Sequence, residues 1–432
     1  MPKLAQKLHP QFEEMHRLRE LSFVCTLLIL SQISIARPQY SLLLDASLSP
    51  RSGAFSLCTL HRAVYGLEGQ LFKTRWSAED RSGKKILGVL YRFSKTALLD
   101  NVLDHLAFLV QHEFFGHGAR FREFGYSGST YSLHLIFPYG DSRGWAFRGT
   151  PDPNRMTTDD ENLLMIIGGF DASACLSQTI LFNWVQRGTI HYRESLVYLF
   201  SATDLSSYIL RTKYHLRKEA GNDVLNFLRA VNPGVGIPEE RHDQLTIDDL
   251  ACRTLISAVN PFLYFSLATY IYRYLWAGQE SMTLPMIPIG GVKVLPLFRF
   301  GLAPFGTEFY FENFATFSDK AACFYLRYSP PDFHKSWGAG LNVANLFRSR
   351  RFSVQARSDV WSQPSIKLGG EAVEKTRLGL GGAIFGTIFY KLMDTPLKLG
   401  IAAQIGYKTS GYLEGEMLRQ GLIIRAGLGF ME

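Results

Sequence analysis

The strongest constraint on the fold of this chain is a change of sequence period after Gly290. Beyond this residue apolar side chains alternate with small or polar ones, as along 397–408, where Leu, Ile, Ala and Tyr alternate with Lys, Gly, Ala and Gln. Successive side chains of a strand point to opposite faces, so this period predicts a sheet with one apolar face. Most segments are close to the roughly nine to eleven residues that a tilted strand needs to cross a membrane. The pattern predicts about eight strands, at 292–301, 307–314, 320–328, 336–345, 351–361, 376–390, 396–408 and 420–430.

The face opposite the apolar one is rich in Gly, Lys, Gln and Arg. A soluble barrel hides its apolar face inside, whereas a membrane barrel turns that face to lipid and keeps small and polar residues for its lumen. The 32 Phe, 20 Tyr and 38 Gly of the chain are common in membrane β-proteins, and the ending at Phe430 resembles the C-terminal signature of bacterial outer-membrane proteins. We therefore predict an antiparallel, eight-stranded outer-membrane-type β-barrel at 286–432. A soluble sandwich with one solvated face is the alternative.

The N-terminus has the pattern of an export signal. An apolar run at 21–36 follows basic residues and ends with Ser34 and Ala36, which suit the −3 and −1 positions of a secretory cleavage site. The run is too short to span a bilayer comfortably, which takes about 20 residues. We predict that 1–36 is a signal peptide, with Met15 as an alternative start, and that the protein is exported to a bacterial outer membrane. An uncleaved anchor is the alternative.

Between the signal and the strands, the spacing of apolar residues is that of helices. Three- and four-residue spacing predicts helices at 96–123, 159–187, 194–214, 220–231 and 246–277. The last is apolar over much of 255–276 but contains Pro261 and Arg273, so we predict a core helix and not a membrane span. The chain is thus predicted to be α+β, with a mainly α-helical domain at 37–285 before the barrel.

Composition excludes several classes of protein. Apolar residues form 47% of the chain, too many for a disordered protein. The net charge of +8 comes from 46 Lys and Arg against 38 Asp and Glu, with no long basic run, so nucleic acid is not an expected partner. The five Cys form no CxxC pair, so no zinc knuckle is predicted. The expected partner is membrane lipid.

The segment His-Glu-Phe-Phe-Gly-His-Gly at 112–118 is where the sequence suggests chemistry. In the zincin pattern His-Glu-x-x-His the two imidazoles lie about 40° apart around the helix, so both reach one Zn²⁺. Here the second histidine comes five residues after the first, about 140° around a regular helix. A π-helical turn, with about 4.4 residues per turn, brings both to one side, and Gly116 lowers its backbone cost. The spacing predicts a widened helix with His112 and His117 as metal ligands.

This segment resembles the zinc motif of the dipeptidyl-peptidase III family, which has the same longer spacing and a glycine before the second histidine. The resemblance covers seven residues of 432 and does not extend to the fold. It implies that His112 and His117 bind zinc, that Glu113 is the general base, and that a carboxylate on a later helix completes the site. The segment is also similar, at a different spacing, to the His-Glu-x-x-His motif of intramembrane metalloproteases.

Asp171 is predicted to be the third metal ligand. It lies in an apolar helix, where a carboxylate is costly unless it is paired or bound to metal. The Gly, Ala and Ser residues around it would let its helix pack closely against the helix that carries the histidines. Glu161 is the alternative ligand, although it suits the first turn of a helix as dipole compensation. A salt bridge with Arg120 is the alternative role for Asp171.

Two functions follow from these patterns. The first is an exported, outer-membrane-associated zinc metallohydrolase, peptidase-like, in which Zn²⁺ is bound by His112, His117 and Asp171 and Glu113 activates water. The second is a non-catalytic outer-membrane barrel protein whose metal, if bound, is structural. A closed shell of four ligands would indicate the structural case, and an open position the catalytic one.

Overall fold

A computed structural model of the protein describes residues 39–71, 82–214, 221–232, 245–330, 334–369, 378–393 and 398–431. The predicted signal peptide at 1–36 lies outside the described residues. The strands are β1 (Gln39–Leu44), β2 (Thr130–Leu133), β3 (Gly144–Phe147), β4 (Thr189–His191), β5 (Ser281–Thr283), β6 (Ile287–Ile289), β7 (Val292–Ala303), β8 (Gly306–Phe317), β9 (Lys320–Ser329), β10 (Ser336–Arg348), β11 (Phe352–Pro364), β12 (Leu378–Lys391), β13 (Leu399–Lys408) and β14 (Gly421–Met431).

The helices precede most of the strands. They are α1 (Pro50–Leu71), α2 (Ser82–Lys95), α3 (Asn101–Leu109), α4 (Gly118–Glu123), α5 (Asp159–Arg187), α6 (Tyr192–Lys213), α7 (Asp223–Val231), α8 (Ile247–Thr254) and α9 (Pro261–Leu267). The first π-helix (Thr96–Asp100), the second π-helix (Val110–His117) and the third π-helix (Ala268–Trp276) continue some of these helices, as does one 3₁₀ turn (Leu255–Val259). The fold thus mixes helices with a large antiparallel sheet in its C-terminal part.

The sheet has ten strands in the order β1-β14-β13-β12-β11-β10-β9-β8-β7-β6. Strands β7 to β14 match the eight predicted segments, which confirms the strands predicted from the period of two. The predicted closed barrel is not present, because β1 and β6 end the ladder and do not pair with each other in the described part of the chain. A barrel of about eight strands has room inside only for side chains. Here α5 packs against the inner face of β7, β8 and β9, so the sheet stays open around a helix.

The outer face of the sheet is apolar and exposed. Along β13 exposed and buried residues alternate throughout. The described outward positions of β11 to β14 carry no charged residue. Exposed apolar side chains on this face are Phe298, Phe324, Leu326, Tyr328, Trp337, Leu341, Val360, Leu380, Ile384, Ile388, Ile401, Ile405, Tyr407, Leu422, Ile424 and Leu428. Water-soluble proteins rarely expose so continuous an apolar surface.

The inner face of the sheet is polar and buried. Its arginines are paired with carboxylates, which is what allows charges to be buried. The ion pairs are Arg299 with Glu312 and Glu414, Arg327 with Glu308, Arg357 with Asp359 and Glu416, and Arg425 with Asp45 and Glu416. The sheet is therefore inverted relative to a soluble sandwich, with its polar side inside.

Helix α5 lies at the centre of the molecule. Two hydrophobic clusters join it to the sheet, one through Leu164 and Phe300 and the other through Trp184 and Phe314. The predicted helical and strand regions therefore share their cores, and β1 adds a strand from the first region. By length and composition α5 could span a membrane, but 83% of its apolar window is buried inside the protein. It is a core helix.

The predicted core helix over 255–276 differs from the structure. It is divided into the 3₁₀ turn, α9 and the third π-helix, with Asn260 capping α9 just before Pro261. A proline suits the first turn of a helix and breaks its interior, which explains the division. Several apolar side chains of this segment, including Tyr264 and Ile271, are exposed and not in the core.

Candidate metal centre

The predicted widening of the helix is confirmed. The second π-helix, Val110–His117, lies between α3 and α4 in one continuous run. Its longer turn brings the two imidazoles together, with ring centroids 5.1 Å apart. Gly116 is needed here, because a Cβ at this position would lie 2.7 Å from the carbonyl oxygen of Gly168 on α5. The predicted close glycine-lined contact between the two helices is therefore present.

The carboxylate that joins the histidines is Asp223 and not Asp171. One donor atom from each of His112, His117 and Asp223 lies within 4.8 Å of the other two. Asp223 Oδ2 is 3.5 Å from His117 Nε2. A cation about 2 Å from each donor would fit after small side-chain movements. Two imidazoles and one carboxylate with room for water form a donor set that zinc enzymes use.

The structure places Asp171 in a separate ion pair. Its Oδ2 accepts a hydrogen bond from Arg120 Nη2 at 2.7 Å, and its Oδ1 accepts one from the Gly415 backbone N–H at 2.8 Å. The reason is helix rotation: Gly169 faces His112, and a residue two positions later lies about 200° further around α5. Asp171 thus takes the salt-bridge role that was its alternative.

Glu161, the other predicted ligand, caps α5. Its carboxylate accepts a hydrogen bond from the Thr158 backbone N–H at 3.1 Å, while Thr158 Oγ1 accepts one from the Glu161 N–H at 3.2 Å. The same carboxylate pairs with Arg155 and accepts a hydrogen bond from the Gly369 N–H. These contacts occupy it at the helix start, away from the histidines.

Both histidines are oriented by hydrogen bonds at Nδ1. His112 Nδ1 is 2.8 Å from Asp204 Oδ2 on α6, and His117 Nδ1 is 2.7 Å from the carbonyl oxygen of Met165 on α5. A carbonyl only accepts, so Nδ1 of His117 carries the proton. Each Nε2 is thereby left for a ligand. Metal-binding histidines are usually held in this way by a carboxylate or a backbone carbonyl.

Glu113 lies beside the triad without belonging to it. It lines the same cavity as the two histidines, and its Oε1 packs against Gly144 of β3, where a Cβ would lie 2.7 Å away. Burial raises the pKa of this carboxyl above its ordinary value, and the neighbouring histidines oppose that rise. A buried carboxylate next to a metal position is suited to accept a proton from water.

The charge around His117 favours a cation. Burial alone would lower the pKa of its imidazole, but the carboxylates of Asp223 and Glu113 outweigh burial and raise that pKa to about 9. Burial would also lower the pKa of His112, but the carboxylate of Asp204 outweighs burial and raises this pKa. The centre therefore attracts positive charge, and a proton and a metal ion would compete for it.

The centre opens into a cavity of about 780 Å³. This volume lies in the range of small-molecule and cofactor sites, about 300–1,000 Å³. Its walls include the aromatic rings of Phe108, Trp145, Phe200 and Tyr208 and the side chain of His105. Burial and then the charge of Arg211 lower the pKa of His105 to about 4, so this imidazole is neutral near pH 7.

Asp223 and Asp204 were not predicted from the sequence. Asp223 is the first residue of α7, next to the N-cap Asn222, where an acidic residue is expected for helix stability alone. Asp204 is buried within α6. The sequence signal that indicates Asp171 on α5 is a carboxylate within an apolar helix, and Asp204 has the same signal. The same reasoning would have selected Asp204, but only the packing of α6 shows which buried carboxylate meets a histidine.

No family model, curated protein sequence or solved structure matches this chain. The features that indicate a function are therefore the geometry of the centre and the surface of the sheet.

Metal binding is expected to strengthen as the pH rises. A proton must leave His117 before its Nε2 binds a metal, so zinc affinity should increase at least about tenfold per pH unit and level off near about pH 9, the pKa of this imidazole. In the metal-free protein the same raised pKa contributes stability that is complete below about pH 6.5 and lost as the pH rises through about 9. Competition with a chromogenic chelator across this range measures the affinity. An affinity independent of pH would contradict the assignment of His117.

The Asp204→Asn variant is expected to bind zinc about 10- to 100-fold more weakly, since the loss of a carboxylate that holds a ligand histidine has effects of this size. The amide still reaches His112 Nδ1 at the observed 2.8 Å position but carries no charge. Chelator competition on the purified variant gives the affinity. Asp248→Asn, on an exposed carboxylate of α8, is the matched control and should leave the affinity unchanged.

Proposed function

We propose that the protein is a zinc hydrolase of the peptidase type, embedded by its sheet in a bacterial outer membrane after export. The observation that carries the hydrolase part is the convergence of His112, His117 and Asp223 beside Glu113. A helix must widen by one residue for this convergence. Gly116 and Gly169 must both lack side chains, because a Cβ would lie 2.7 Å from the Gly168 carbonyl oxygen in the first case and would collide with His112 Nε2 in the second. Each of these features costs helix stability, so their joint presence favours a functional centre.

Each residue of the proposed centre would have its own role in hydrolysis. A bound Zn²⁺ would supply Lewis acidity, polarising a carbonyl and lowering the pKa of water. His112 and His117 would bind it through Nε2, held by Asp204 and the Met165 carbonyl. Glu113 would take the proton of the attacking water and pass it to the leaving amine. The aromatic walls of the cavity would hold the substrate side chains.

The outer face of the sheet supports the membrane part. Lipid-facing strands expose apolar residues and bury polar ones, which is the alternation observed in β13 and its neighbours. The predicted signal at 1–36 would provide export, and Arg37 would then begin the mature chain.

Metal analysis of ligand variants tests the centre. The purified protein should contain about one zinc per chain; Asp223→Ala should lose it, and Asp171→Asn should retain it, because Asp171 is paired with Arg120. The opposite result, with loss in the Asp171 variant alone, would restore the ligand set predicted from the sequence and contradict this one.

Peptide cleavage distinguishes the zinc hydrolase from a non-catalytic membrane protein. A mixture of internally quenched peptides should be cleaved by the zinc-loaded protein and not after chelation. Bound zinc with four protein ligands and no cleavage would favour the alternative, a non-catalytic membrane protein with a structural metal. Stoichiometric iron in place of zinc would contradict the hydrolase proposal, because two histidines and a carboxylate also bind Fe(II) in oxygenases.

A further inference from the structure

The open sheet has two edges, whose backbone groups would need partners in the proposed membrane location. Strands β1 and β6 end the ladder in the described part of the chain. Within a bilayer no water is available for unpaired backbone groups, so lipid-exposed sheet edges do not occur. If the sheet is in a membrane, as proposed above, another part of the protein must cover the opening between its two edges.

A series of helix contacts links the two edge strands. Helix α1 covers β1, and Ser52 Oγ donates a hydrogen bond to the carbonyl oxygen of Leu43 at 2.9 Å. The end of α1 meets α2 through the ion pair of Glu68 with Lys95. Helix α2 in turn meets the third π-helix, where Arg92 Nε donates to the Leu275 carbonyl at 3.1 Å.

The third π-helix extends this series of contacts toward β6, the other edge strand of the sheet. It packs against β5, which lies three residues before β6 in the chain. Backbone contacts hold this end in place, since the Leu284 N–H donates to the Gly188 carbonyl at 2.9 Å. The connected elements α1, α2, the third π-helix and β5 therefore run from one edge strand to the other.

The outward faces of these helices are apolar. In α1, over residues 50–68, the exposed side chains are Leu60, Val64 and Leu67, a stripe at four- and three-residue spacing. In α2 and the first π-helix, over 85–100, the exposed residues are Ile86, Leu87, Leu90, Tyr91, Phe93, Ser94, Leu98 and Leu99. In α9 and the third π-helix they are Tyr264, Leu267, Ala268, Ile271, Tyr272 and Trp276. None is charged, whereas a helix facing water places its charged residues on that side.

We propose that the lipid-facing surface of the sheet continues across α1, α2, α9 and the third π-helix, so that helices complete the membrane perimeter in place of further strands. The partner of this surface is the hydrocarbon of a bilayer. Continuity with the apolar sheet face favours lipid over a second copy of the chain, because both surfaces belong to one perimeter. On α2 the charged groups of Arg92 and Lys95 turn inward to protein partners. This inference rests on the proposed membrane location of the sheet.

Photochemical labelling in vesicles tests the inference. Benzoylphenylalanine is placed singly at Leu90 on α2, Ile271 on the third π-helix, Ile405 on the sheet, or Met156 in a loop. All four side chains are exposed, so the larger group should be accepted at each position. The full-length protein is reconstituted in vesicles of phosphatidylethanolamine and phosphatidylglycerol, irradiated, and analysed by mass spectrometry for lipid adducts. We expect adducts at 90, 271 and 405 and none at 156.

The four positions separate the failure of this inference from that of the proposed location. Lipid adducts at 405 without adducts at 90 and 271 would overturn the helical perimeter and leave the sheet in the membrane. Cross-links between two copies of the chain at 90 or 271 would likewise overturn it and assign the helices to a dimer interface. No lipid adduct at any position would contradict the membrane location, and with it this inference.

Discussion

Glu113→Gln is expected to lower the rate of peptide hydrolysis by about 10²- to 10⁴-fold, the usual contribution of a general base. Glutamine has nearly the shape of glutamate, so it should keep the packing against Gly144, but it cannot accept the proton of water. The triad His112, His117 and Asp223 is unaffected, so zinc content should remain at the level of the unmodified protein. Steady-state cleavage of quenched peptides and metal analysis on the same sample measure both quantities.

Measuring hydrolysis and zinc content on the same sample distinguishes loss of the general base from loss of the metal. Asp223→Ala serves as the comparison, since it should lose zinc and hydrolysis together. Undiminished hydrolysis in Glu113→Gln would leave the metal centre intact and remove Glu113 from the role of base. Loss of zinc in this variant would instead make Glu113 a ligand, contrary to its position outside the triad.

Ile405→Arg is expected to destabilise the protein in membranes by about 2–4 kcal/mol, the cost of a cationic side chain near the bilayer midplane. Ile405 lies near the middle of β13, opposite Gly386 and Ile424, and its side chain is 57% exposed on the outer face. If water faced this surface, the same change would cost no more than about 0.5 kcal/mol. Reversible urea unfolding in lipid vesicles measures the difference.

The control for this variant must lie outside the sheet. Gln404, the neighbouring inward residue, is unsuitable because it is buried and hydrogen-bonded to Arg425, so an arginine there would meet a like charge. Met156→Arg, at a position 84% exposed in a loop, should leave stability unchanged. Equal stability of the Ile405 and Met156 variants would contradict a lipid-facing sheet.

The features predictable from the sequence are those set by local period and spacing. Alternation of apolar residues located the eight strands β7 to β14, because a strand must turn successive side chains to opposite faces. The five-residue spacing of His112 and His117 required a widened turn, since no regular helix brings both to one side. The glycines of the two helices predicted their close approach, because only a missing side chain permits it.

Other features depended on the rotation and packing of whole elements. Asp171 and Asp204 both lie in apolar helices, and nothing local distinguishes a carboxylate that meets an arginine from one that meets a histidine. Asp223 enters the centre only because α7 packs against α5, and its position at a helix start has a sufficient local explanation. The sheet does not close, because α5 occupies the space that a closed barrel of eight strands would need for its inward side chains.

The outer surface likewise combines features set by local sequence with features set by tertiary packing. The sequence by itself determined that the strands have an apolar face, since period two is a local property. It did not determine that the exposed sides of α1 and α2 are apolar as well, because the pattern of an amphipathic helix is the same whether its apolar side turns inward or outward. Only the tertiary structure decided this, by burying the polar sides of these helices in ion pairs and leaving their leucines and aromatic residues outside.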